Sequence, residues 1–249
     1  VVVAIAVIAA LVGTPLAVHA VGGGTPVPTP APVAGGNGPS QGAPPAGSAT
    51  TNAFGNLARN PSLISNGCAT IDGIHVCVPA FSMDGQTIPP IVLIQRVLGA
   101  VTSSGSGSAV SASDPTVIQA AEASVLLDHL LYTEAPNDGV SVTQDEAAAQ
   151  AQQELALYLN DPASGQAAGV VPAGMTPGAY FSSAAVVAGY QRAMTIGLER
   201  GHILSKAPAG SDHQTVLVQW MKQVLPRHSV QVNGAPPTLG LADALPPQP

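Results

Sequence analysis

A chain of 249 residues fits one domain, or two small ones. Charged residues make up 8 % and aromatic residues 3 % of it, with 27 Gly and 24 Pro; a typical soluble domain is about 25 % charged, so part of this chain is not packed structure. A net charge of −7 with seven Lys plus Arg argues against nucleic acid as a partner, because phosphate contacts need a basic surface.

No Asp, Glu, Lys or Arg precedes Arg59, which sets the N-terminal part aside as a separate physical object. Val1–Val12 is unbroken apolar sequence, followed by Gly13-Thr14-Pro15 and Leu16–Ala20. The run suits the apolar region of a signal peptide whose charged start lies outside this sequence, and Val18-His19-Ala20 suits cleavage. Counting Leu16–Val21 into the run, a tilted membrane anchor fits as well. Residues 1–20 are therefore read as a signal peptide or anchor. Residues 21–58 are Gly-, Pro- and Ser-rich and uncharged; they cannot bury enough apolar area to offset their ordering entropy, and are read as a disordered linker. Between the linker and a Pro-rich tail over 235–249, roughly 175 residues remain, enough for an ordinary core.

The first ordered element is expected around Cys68-Ala-Thr-Ile-Asp72-Gly73-Ile-His-Val-Cys77. Asp-Gly between β-formers marks a two-residue hairpin turn. Counting outward pairs Ile71 with Ile74, Thr70 with His75, and Cys68 with Cys77. The last pair falls at a non-hydrogen-bonded site, where side chains approach most closely, and predicts a disulfide. With no CxxC and no His pair at ligand spacing nearby, a metal site is disfavoured. A disulfide implies an oxidising, extracytoplasmic compartment.

Helices follow. Ile88–Leu98 reads as a short apolar helix. Asp114-Pro115 is an N-cap followed by Pro at the first helical position, opening a helix to about Ala135 that is apolar most of the way round. Thr143-Gln-Asp-Glu146 has the spacing of a capping box and opens a helix to about Asn160. Thr176-Pro177 opens a third long helix, through Tyr190 and Met194 to about Leu204. In the last helix Leu217, Trp220, Met221, Val224 and Leu225 form one stripe. Ser229–Gly234 reads as a closing strand, expected beside the hairpin because a lone hairpin is marginal, and the tail from Ala235 is expected to be loose. The predicted fold class is mainly α, a helical domain over 59–234 with a small hairpin and closing strand.

Leu127–Ala135, running Leu-Asp-His-Leu-Leu-Tyr-Thr-Glu-Ala, followed by Gly139-Val-Ser-Val-Thr143-Gln-Asp-Glu146, resembles the helix–turn–helix of SurA-type periplasmic chaperones. Thr70–Val76 resembles that family's opening strand, and Trp220–Val232 its closing helix and strand. The resemblance spans about 69–233 and implies an N-terminal chaperone domain of the SurA type. The cysteine pair is not part of the family's pattern. Arg200-Gly-His202-Ile203-Leu204-Ser-Lys206 echoes the opening of the family's parvulin prolyl isomerase domain. No Gly-Gly-Asp-Leu-Gly segment follows, and a complete parvulin domain does not fit in the remaining length.

No Gly-x-Ser-x-Gly elbow, His-Glu-x-x-His, P-loop or dinucleotide fingerprint occurs, so no catalytic residue and no cofactor or metal is assigned. Asp145-Glu146 and Asp212-His213 read as helix starts, where negative charge suits the dipole, and Asp128-His129 as a solvent-facing or internally paired interruption. The large soft side chains Tyr132, Tyr180, Phe181, Tyr190, Met194, Trp220 and Met221 are either core or the lining of a groove for extended apolar segments. Trp220 is expected to pack near Tyr190 and Met194.

The sequence reading is thus an extracytoplasmic, ATP-independent chaperone-like domain. Its partners are unfolded or nascent exported polypeptides, and the membrane if the N-terminal segment is retained. The alternatives are a peptidyl-prolyl isomerase with a reduced parvulin part over Leu204–Val232, and a tethered envelope interaction protein.

Overall fold

The computed structural model describes residues 63–71, 73–103, 111–160, 170–172, 174–236 and 239–246. The apolar N-terminus, the linker, Asp72, the Ser/Gly loop around Gly105–Gly107 and most of the loop over 161–174 lie outside the described residues.

Strands β1 (Cys68–Ile71) and β2 (Ile74–Cys77) pair antiparallel, in the register counted from the sequence, with Cys68 opposite Cys77 and Thr70 opposite His75. Strict alternation turns Ala69, Ile71 and Val76 into the core and leaves Thr70, His75 and Cys77 exposed on the other face. Just before β1 the chain passes the end of β2 at Gly67. A Cβ there would lie 2.7 Å from the Val78 carbonyl oxygen, so only glycine fits.

A second hairpin follows that the sequence reading did not anticipate, β3 (Phe81–Met83) and β4 (Gln86–Ile88). Its turn is Asp84-Gly85, with φ of +51° and +76°, the double positive φ of a type I′ turn. Strands of three residues are too short for alternation to register. The closing strand β5 (Val230–Val232) pairs with β3 and not with the first hairpin, giving the order β4-β3-β5. The expectation of a strand beside the first hairpin is therefore corrected, and the reason lies in what β3 offers at both ends. The Asn233 side chain accepts from the Ala80 amide at 3.0 Å, the Asn233 amide donates to the Ala80 carbonyl, and the Asp84 amide donates to the Ser229 carbonyl.

The rest is helical: α1 (Pro90–Ser103), α2 (Pro115–Glu134), α3 (Gln144–Asn160), α4 (Pro177–Phe181), α5 (Ala184–Ser205) and α6 (His213–Val224). Helix α1 runs past the expected Leu98. The caps fall where the sequence placed them. Asp114 accepts from the Thr116 amide and Asp212 from the Thr215 amide. At the capping box, the Glu146 amide donates to the Thr143 hydroxyl at 3.2 Å, and the Thr143 amide donates to the Glu146 carboxylate at 2.7 Å. The expected third helix is two helices, because Ser182-Ser183 interrupts it and the Ser183 hydroxyl caps the Val186 amide.

Helix α2 is central and buries Leu126, Leu127, Leu130 and Leu131 completely or nearly so, packing against α1, α5, α6 and the C-terminal turn. That turn corrects the expected loose tail. Leu239–Ala244 is a 3-10 helix that buries Leu241, Ala242 and Leu245, since these three residues give the Pro-rich tail an apolar face that α2 can cover. The apolar interior has two parts. The larger joins both hairpins, α1, α2 and α6; the smaller lies between α3, α4 and the first half of α5. Among the described residues no helix is long and apolar enough to cross a membrane.

Candidate functional site

A cavity of about 310 Å³ opens where β4 meets three helices. Strand β4 contributes Gln86, Thr87 and Ile88, α1 contributes Val92 and Arg96, α2 contributes Val125, Asp128 and His129, and α5 contributes Gly189, Arg192, Ala193 and Ile196. Each helix presents residues three or four apart, the spacing that brings side chains to one face. The volume is at the lower end of ligand-sized pockets.

The walls are apolar and the rim is cationic. Asp128 accepts from Arg96 and, at 3.4 Å, from Arg200. The Arg192 guanidinium lies 4.3 Å over the Tyr132 ring, a cation–π geometry. Burial lowers its pKa, and the nearby Asp128 and Tyr132 oppose that. Two of the chain's five arginines thus pair with one carboxylate and a third, Arg192, lies near it, so this corner of a net-acidic protein is locally positive. Asp128, read as internally paired or solvent-facing, is internally paired.

One wall is held by a polar knot. The Asp84 carboxylate bonds His129 Nε2 at 3.0 Å, His228 Nδ1 at 2.9 Å and the Ser229 amide at 2.9 Å. The other ring nitrogen of His228 faces Glu134 Oε1 at 3.0 Å, and Arg227 reaches Glu134 Oε2 at 3.2 Å. Burial pushes the Asp84 carboxyl up, but the hydrogen bonds from His129, His228 and Ser229 outweigh it and hold the carboxyl at about 2. The knot ties the β3–β4 turn to α2 and to the connection before β5, which fixes β4 at the cavity mouth.

The sequence-selected side chains are spread over several surroundings. Tyr180, Phe181 and Tyr190 are buried in the smaller core, with Met194 packed partly buried against it. Met221 is fully buried in the larger core and Trp220 packs partly buried on it, so the indole sits apart from Tyr190 and Met194. Tyr132 alone of the seven is exposed, beside the cavity under Arg192. The cavity residues Thr87, Val92, Arg96 and Ala193 were not singled out. The available signal was the second Asp-Gly turn, which would have placed β4, and the Arg/Asp pairs on otherwise apolar helices.

Cys68 and Cys77 are disulfide-bonded, with Cα atoms 4.0 Å apart. His75 Nε2 lies 3.3 Å from Cys77 Sγ, and Thr70 Oγ1 lies 3.0 Å from His75 Nδ1. Among the described residues this is the one cluster whose ligand atoms, Cys68, His75 and Cys77, lie within 4.8 Å of one another as a metal site would require. The S–S bond occupies both sulfurs, which cannot then act as thiolate ligands. His202 lies in the last turn of α5, and Leu204–Val232 spans the end of α5, all of α6 and β5.

Compared with known proteins, the chain matches no family model, no curated protein and no solved structure.

Proposed function

We propose that this domain is an extracytoplasmic, ATP-independent chaperone-like module of the SurA type, which binds unfolded exported polypeptides in extended form at the cavity bounded by β4. The observation that carries the reading is the outer edge of β4, which no strand among the described residues covers, beside an apolar cavity flanked by arginines. β4 is the outer strand of its sheet. In the two-residue hairpin Met83 pairs with Gln86 and Ser82 with Thr87. The first is a hydrogen-bonded pair and the second is not, so the Thr87 amide and carbonyl point away from β3. An extended segment adding to that edge makes main-chain hydrogen bonds, and sets alternate side chains into the cavity; this is recognition by strand addition. Main-chain bonding is indifferent to client sequence, which suits a binder of many clients. The resemblance of 127–146 to the SurA helix–turn–helix supports the same reading, and the disulfide supports an oxidising compartment.

The test is suppression of aggregation of a chemically denatured client, with two variants. Thr87→Pro removes the outward amide, and Pro is tolerated on an edge strand, so the melting midpoint stays within about 2 °C while suppression is lost. Ala193→Trp fills the cavity from the half-buried α5 face and has the same effect. Full suppression by both variants would refute the site. No suppression by the unsubstituted domain would favour a tethered interaction protein, and turnover of a prolyl-peptide substrate would favour the isomerase.

A further inference from the structure

We propose that the Cys68–Cys77 pair is a thiol–disulfide exchange centre that accepts two electrons from dithiols reaching the exposed face of the first hairpin, with His75 as its catalytic group. The proposal is independent of the polypeptide-binding cavity.

Register places four side chains on one face of the ribbon: Cys68 opposite Cys77, and Thr70 opposite His75. The opposite face, with Ala69, Ile71 and Val76, is buried in the larger core. The ribbon is therefore held by its strand pairing and by core packing, and on its other face His75 and Cys77 are exposed and Cys68 is half-buried. A disulfide that joins the ends of a two-residue hairpin closes a short loop, where a cross-link removes the least chain entropy. Exposed disulfides are the exchangeable ones.

His75 gives the exchange a direction. With the Thr70 hydroxyl donating to Nδ1, the ring carries its proton on Nε2 and aims it at Cys77 Sγ 3.3 Å away. If Nδ1 is protonated too, the same hydroxyl accepts from it and the sulfur faces an imidazolium. A disulfide sulfur has no proton to donate, so the 3.3 Å contact is a hydrogen bond only with a proton on Nε2, and both of these states supply it. That hydrogen bond is weak to a disulfide sulfur and strong to a thiolate, so it favours the state in which Cys77 leaves.

The steps balance as follows. One thiol of the dithiol gives its proton to solvent, and the thiolate attacks Cys68 Sγ. The S–S bond breaks, and its electron pair leaves on Cys77 Sγ under the His75 N–H. The second thiol of the dithiol gives its proton to solvent, and this thiolate attacks the external sulfur of the mixed disulfide and releases Cys68 Sγ. Both cysteine sulfurs take protons from solvent. The dithiol is oxidised to a disulfide, and the cysteine pair is reduced to two thiols.

Two measurements test this on the folded chain. The rate of reduction by dithiothreitol is compared between the unsubstituted protein, His75→Val and Thr70→Val. His75→Val is expected to slow it by about tenfold or more, the scale of one hydrogen bond to a charged atom, and Thr70→Val by less. His75 and Thr70 are exposed, so the melting midpoint of the oxidised forms should not move. Separately, glutathione is reacted with the unsubstituted protein, the mixed disulfide is trapped with acid, and its position is mapped by mass spectrometry; glutathione is expected on Cys68. Equal reduction rates in all three proteins, or glutathione mapped to Cys77, would overturn the assignment.

Discussion

Glu199 lies on α5, has no exposed surface, and faces the Asp138 carboxylate. Burial and that neighbour push its carboxyl up to about 7, while Asp138 is lowered by the Glu199 carboxyl beside it and by Lys206. The proton is thus held on Glu199. A carboxyl whose folded value lies above its unfolded one contributes stability that is complete below about 4.5 and is lost as pH rises through about 7. Asp84 works in the opposite sense. Its folded value of about 2 lies below the ordinary 3.8, so its contribution is present above 3.8 and lost as pH falls toward 2. Stability should therefore peak at mildly acidic pH and decline between pH 5 and 8. Thermal melts of Glu199→Gln across that interval should lose most of the decline, because the amide has no proton to give up; a decline equal to that of the unsubstituted protein would place its origin elsewhere. The polar knot makes a second test at this scale. Asp84→Asn weakens hydrogen bonds to two histidines and to the Ser229 amide, and should cost about 1–3 kcal/mol in denaturant unfolding.

At the scale of single elements, local signals decide where structure starts. Helix α3 buries little beyond Ala147 and Ala151, so packing gives it limited support and its cap counts for more. Thr143→Ala frees the Glu146 amide and should cost about 1 kcal/mol, read as a lower melting midpoint. The same local logic makes the first hairpin readable to the residue, since a two-residue turn fixes the register of every pair behind it. It fails for β3 and β4, whose three-residue strands show no period. It also fails at Ser182-Ser183. A helical pattern runs on through that point, and only the placement of α4 and α5 on the smaller core shows that the chain turns.

Across the whole molecule, α2 organises the fold. It is apolar most of the way round because α1, α5, α6 and the C-terminal turn each cover part of it, as expected of a helix packed on several sides. The C-terminal turn is docked by more than apolar contact. Gln214 Nε2 donates to the Leu245 carbonyl at 2.5 Å, and Lys222 pairs with Asp243. Leu245 is 1 % exposed, so Leu245→Ala should destabilise by about 2–4 kcal/mol, as large-to-small core changes do. A loose tail would register no change in the denaturant midpoint. The tail cannot be cut back past Leu245 without opening the larger core.

What the sequence determined by itself is what adjacent residues settle among themselves: the Cys68–Cys77 register, the caps at Asp114, Thr143, Thr176 and Asp212, and the mainly helical class. These depend on turn chemistry and on orphan amides within a few residues, so they can be read in one dimension; even so, the role of Ser183 went unread because a helical pattern ran across it. The tertiary structure alone decided which strand β5 joins, how the aromatic residues divide between two cores, and that Leu241 and Leu245 are buried. It alone brought Arg96, Asp128, Arg192 and Arg200 to one corner beside β4. Those outcomes rest on contacts between residues up to about 150 positions apart, such as Ala80 with Asn233. They form only after loop closure has been offset by apolar burial, and no local pattern records which of the possible partners wins.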